Sequence, residues 1–203
     1  MPGPLTHNTI NKQIFWNTLL SQQLQPHKWF WFWEGIMPDI KKFNNLSHGW
    51  DFTKNQPLTY SSGTSIFAQL KVLYEETLKL HDKKKLHKKI YHISHLIADS
   101  LSVGQMSSRL WGKKDDMIDL RMETILFKCK DVRNTFTVYK TFDAWMKDLY
   151  YFASRQYNSY HAKAVLENLT RKDMRKMTRF LVSQSVSMML SLLYLIEKFK
   201  DAE

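Results

Sequence analysis

The 203-residue chain holds a single cysteine, Cys129. One thiol excludes an internal disulfide and the cysteine-rich zinc modules, and nothing about it implies a disulfide-linked partner. Glycine and proline are scarce, at 6 and 5, while long stretches show helical spacing. Sandwiches and barrels need those residues in closely spaced turns, so the expected fold is all-α. Missing too are a phosphate-cradling glycine loop, a dinucleotide-binding glycine pattern, a nucleophile elbow, internal repeats and low-complexity tracts. The opening MPGPLTHNTINKQ has no apolar core of a secretory signal. The most apolar stretch, Phe180 to Ile196, is interrupted by Ser183, Gln184, Ser185, Ser187 and Ser191. It is too polar and short for a membrane span and suits a buried helix, so the expected location is cytoplasmic. Acidic residues are also few. Asp and Glu number 19 against 30 Lys and Arg, a formal charge of +11. That excess predicts an anionic partner, such as a phosphate-containing substrate or ligand, nucleic acid or a membrane surface, unless the lysines only keep the surface soluble.

What is present is apolar periodicity. At 43% hydrophobic, residues 1–203 suffice for one helical domain with one core. Helices are predicted from about Asn8 to Gln23 with Thr6 as N-cap, from Ser65 to Leu80, from Leu86 to Leu101, and from Asp115 to Lys128. Two more fall within Thr141 to Tyr160 and Lys172 to Lys200. The consecutive aromatics Trp29 to Trp33 fit core packing, with a membrane-contacting or base-stacking patch as the alternative. Lys41 to Gly63 reads as a long loop, and His81 to Lys89 as a basic turn that either meets phosphates or is a solvated face.

Several residue types suited to metal chemistry recur at telling positions. His95 and Asp99 are four apart, so both leave one face of a helix, with His92 on the same stripe. An imidazole and a carboxylate converging in this way form half of a zinc site. Asp39 follows the bend imposed by Pro38 and is either a well-held ligand or the cap of a short helix. His48 folds over such a site or lies on the surface. His7, at the start of the first helix, points inward or is solvated. Asp119 and Glu123 are again four apart; they are bridged by a cation or form a solvated acidic face. His161 stands alone and reads as structural.

Gly35-Ile36-Met37-Pro38-Asp39, then His48, then His95-x-x-x-Asp99, resembles the zinc-dependent phospholipase C family, whose all-helical fold is shared with the fungal single-strand-specific nucleases. The resemblance spans about residues 7 to 123, implying a metal-binding core there with the C-terminal helices 141–200 packed on it. It implies that Asp39, His48, His95 and Asp99 hold a zinc ion, with Asp99 bridging to a second metal near His7. It further implies hydrolysis of phosphoric diesters, phospholipase C-like or nuclease-like, by a metal-activated water, with no catalytic residue beyond the metal ligands. A third site in the family uses a histidine six residues past the helix aspartate and a His-x-x-x-Glu on the next helix. Here Gln105, Asp119 and Glu123 stand at those places, an all-oxygen set better suited to magnesium, manganese or calcium. Those replacements favour an alternative, a descendant with one metal at most that binds nucleic acid, lipid headgroups or a protein without catalysis. A third reading makes His95 and Asp99 a satisfied buried pair in a basic helical domain.

Overall fold

The computed structural model describes residues 4–15, 50–52, 54–57, 65–107, 109–110, 113–126 and 137–200. Among these, the chain forms α1 (Pro4–Phe15), β1 (Trp50–Asp51), β2 (Gln56–Pro57), α2 (Ile66–Leu78), α3 (Lys83–Leu101), a 3-10 turn (Gly104–Met106), α4 (Lys113–Leu126), α5 (Phe142–Val165) and α6 (Arg171–Lys200). The all-α expectation holds, since the two strands are only two residues each.

Local chemistry sets most of the helix starts. Ser65 accepts from the Ala68 amide at 3.0 Å to begin α2, and Thr141 accepts from the Ala144 amide at 3.2 Å to begin α5. At α6, Thr170 and Asp173 bond reciprocally: the Asp173 amide donates to Thr170 Oγ1, and the Thr170 amide donates to Asp173 Oδ2, both at 3.1 Å. Two starts differ from expectation. Asp82 accepts from the Lys85 amide at 2.8 Å, so the basic run read as a turn is instead the opening of α3. The first helix begins at Pro4, leaving Thr6 buried within its first turn rather than capping it. Proline suits a first helical turn because its missing N–H is an orphan there anyway.

The helix α6 is the centre of the assembly, in contact with each of α1 to α5. By length and composition it could cross a membrane, but 72% of its most apolar window is buried inside the fold. Its central place accounts for that composition. Buried side chains of all six helices join one hydrophobic cluster. Within it Trp145 of α5 is fully buried and donates its indole N–H to the Met188 carbonyl of α6 at 2.8 Å. That satisfies the one polar atom of the largest side chain in the core.

Inside the region expected as a long loop, Trp50 pairs antiparallel with Pro57 and Asp51 with Gln56. Asn55 takes the left-handed conformation, φ 51°, at the tip. The Phe52 amide donates to the Met106 carbonyl at 3.3 Å, which ties the hairpin to the turn after α3.

Candidate metal centre

The site is built on the second half of α3. Every residue from Ile93 to Leu101 is buried, because this helix packs against α1, α2, α5 and α6. His95 is 1% exposed and Asp99 is 0% exposed. Burying a carboxylate is costly unless a cation or strong donors compensate it.

Three contacts bring α1 to this face. Ile10 and Ile14 are buried in the common core. Between them lies Asn11, also buried, whose Oδ1 accepts from Ser94 Oγ of α3 at 2.8 Å. At the helix start, the Leu5 amide donates to Glu123 Oε1 of α4 at 2.8 Å. Together these fix the first turn of α1 so that His7 is 2% exposed and stacked on His95, ring centroids 4.1 Å apart and planes 13° apart.

The two oxygens of Asp99 address different histidines. His7 Nε2 lies 3.5 Å from Oδ1, and His95 Nε2 lies 3.3 Å from Oδ2. A charge-assisted N–H···O bond is shorter, about 2.7–2.9 Å. Donors about 2.0–2.2 Å from a tetrahedral ion stand about 3.3–3.6 Å from one another. One ligand atom from each of His7, His95 and Asp99 lies within 4.8 Å of the others. This buried His–His–Asp group could hold a metal ion, and the donor set of two imidazoles and a carboxylate fits one.

Asp39 and His48 lie outside the described residues. Among the described ones, Asp119 and Glu123 do not join the group. Asp119 is 5% exposed. Glu123 has another task, since one of its oxygens anchors the first turn of α1. Gln105 is fully buried in the 3-10 turn just past α3, and neither amide atom finds a hydrogen-bond partner among the described residues. His92 is only half-buried and stands outside the group. His161 is engaged by Ser107, Oγ to Nε2 at 2.8 Å, and stacks on Tyr157. It joins α5 to the segment after α3, in keeping with a structural role.

The sequence reading missed Asn11 and Ser94, the polar pair that sets the angle of α1. A sign was present: each is a small polar residue beside core-facing isoleucines, Asn11 after Ile10 and Ser94 after Ile93. Which residue pairs with which is not a local property.

No family model, curated protein or solved structure matches the chain.

Proposed function

We propose that the chain is a metal-dependent hydrolase of phosphoric diesters, with the helical fold of the phospholipase C and zinc nuclease type. The observation that carries this reading is the convergence of His7, His95 and Asp99, from α1 and α3, at the mutual spacing of metal ligands. Zinc is the proposed ion, because two imidazoles and one carboxylate suit it better than they suit magnesium or calcium. Asp39 and His48 are the further candidate ligands in this reading, not all of which a tetrahedral ion with a bound water could take, and Gln105 and Asp119 are the candidates for a second, oxygen-coordinated divalent ion. When bound, such an ion supplies Lewis acidity and lowers the pKa of a coordinated water. The protein's own part is to hold the ligands rigidly: Asn11 and Ser94 lock α1 on α3, and Glu123 holds the end that carries His7.

The test is metal analysis of protein purified without chelator, together with turnover of bis-p-nitrophenyl phosphate. Near-stoichiometric zinc and turnover are expected, both removed by His95→Ala. Absence of bound metal overturns the reading.

A second reading is favoured by the depth of the group, 0–2% exposed. Structural metal sites are closed, whereas catalytic ones keep an open position. In this reading the ion is a staple in a binding module without catalysis. Bound zinc with no turnover selects it.

A further inference from the structure

Every exposed position of α6 between residues 171 and 179 is basic: Arg171, Lys172, Arg175, Lys176 and Arg179. Met174, Met177 and Thr178, on the opposite side of the same turns, are buried in the core. At 3.6 residues per turn the five cations fall on one arc of about 140°, and at 1.5 Å per residue they run for about 12 Å. Two acids lie close in sequence, and both are engaged elsewhere. Asp173 is bonded by Thr170 and by Lys163 at 3.1 Å, and Glu167 pairs with Lys114 at 3.2 Å. Among the described residues, none of the five cations forms an ion pair.

This arrangement works against the helix that bears it. Cations near a helix N-terminus oppose the macrodipole. The pairs Arg171–Arg175, Lys172–Lys176 and Arg175–Arg179 place like charges at the i, i+4 spacing, which is destabilising. A face serving solubility alone intersperses charges of both signs. We propose that this face of α6 is a docking surface for double-stranded nucleic acid, held through the phosphate backbone without reading base sequence. Charge complementarity identifies the partner. Three of the five are arginines, whose planar fork meets phosphate oxygens bidentately. No exposed aromatic stands on the arc, so it offers no platform for stacking single-stranded bases. A membrane-surface helix needs a flanking apolar stripe to insert. Among the described residues, no large apolar side chain is exposed on α6 itself between residues 171 and 193. The exposed ones on neighbouring elements include Leu166 in the preceding turn and Met117 and Leu120 of α4, and the vesicle arm of the test addresses them.

The proposal stands apart from the metal reading and needs no metal to be tested. Fluorescence anisotropy would follow the full chain binding a short random-sequence duplex, in DNA and RNA forms, across a salt series. One variant carries Arg171→Gln, Lys172→Gln, Arg175→Gln, Lys176→Gln and Arg179→Gln. A charge-matched control carries Gln at Lys79, Lys83, Lys84, Lys85 and Lys88 around the start of α3. Helix content and melting temperature confirm that both are folded. Wild type is expected to bind with a steep salt dependence. The α6 variant is expected to lose about tenfold to hundredfold in affinity and to flatten the salt slope by about 0.9 for each phosphate contact removed. The control is expected to keep most of the affinity. The proposal is overturned if wild type does not bind duplex, or if both variants lose affinity equally. It is also overturned if the α6 variant loses binding to phosphatidylserine vesicles while duplex binding persists.

Discussion

The imidazoles of His7 and His95 stack 4.1 Å apart, one from the first turn of α1 and the other from the middle of α3. Both present Nε2 to the same buried carboxylate, that of Asp99. An ion held there would join the two ends of a long intervening chain, so metal binding and the docking of α1 are one equilibrium.

Zinc is therefore expected to raise the melting temperature of metal-stripped protein. At a hundredfold excess over Kd the stabilisation is about 2.7 kcal/mol, and each kcal/mol is worth about 2–4 °C in a chain of this size. His7→Ala and Asp99→Asn are expected to abolish the shift. Differential scanning calorimetry with and without chelator measures it, and an unchanged melting temperature for wild type counts against a metal at this site.

Amide exchange sharpens the same point. Removing the ion is expected to speed exchange in α1 selectively, leaving α3 and α6 protected, because α3 and α6 are held by the apolar core on several sides. Uniform acceleration across all helices would mean that the ion contributes to global stability without governing α1.

The Asn11–Ser94 bond is the second clamp on α1. Asn11→Ala leaves a buried serine hydroxyl without its acceptor and is expected to destabilise by about 1–3 kcal/mol. Since the two residues bond to each other at 2.8 Å, the double variant with Ser94→Ala is expected to cost less than the sum of the single ones. Denaturant titration of the four proteins closes the cycle. Simple additivity would show that the bond does not couple the helices.

At the start of α6, Asp173 is held down to about 2 from 3.8, first by the Thr170 hydroxyl and the Thr170 amide and then by Lys163. A carboxylate whose pKa is lower in the folded than in the unfolded chain adds stability above the unfolded value. That contribution disappears as the pH falls toward 2. Asp173→Asn is expected to lower stability at neutral pH and to flatten its decline between pH about 4 and 2, read from melting temperatures across that range. A variant with the same acid limb as wild type would refute the assignment.

Trp145 tests the core. Trp145→Phe keeps most of the apolar contact and removes the indole bond to the Met188 carbonyl, which retains its helical donor, so about 0.5–1.5 kcal/mol is expected to be lost. Trp145→Ala also opens a cavity and is expected to cost about 3–5 kcal/mol.

Much of the fold was legible because helix formation is local. The apolar spacing of α2, α3, α5 and α6 marked their bounds to within a few residues, except at the C-terminus of α5, and Ser65 and Thr141 cap where short polar residues precede such runs. The misread starts, at Pro4 and Asp82, came from preferring a threonine cap to a first-turn proline and a charge run to a helix opening. Glu123 was read as a possible ligand from its spacing to Asp119, but its carboxylate is engaged by the first turn of α1.

By itself, the sequence determined that the chain is helical, that His95 and Asp99 share one face of α3, and that cations outnumber acids. Each follows from composition or from the 3.6-residue period. Only the tertiary structure decided that His7 stacks on His95, that Asn11 bonds to Ser94, and that the basic positions of α6 face outward together. Those depend on how separate helices bury their apolar faces against one another. That choice is made by the whole core at once, with Ile10 and Ile14 settling α1 and the buried length of α6 orienting everything around it.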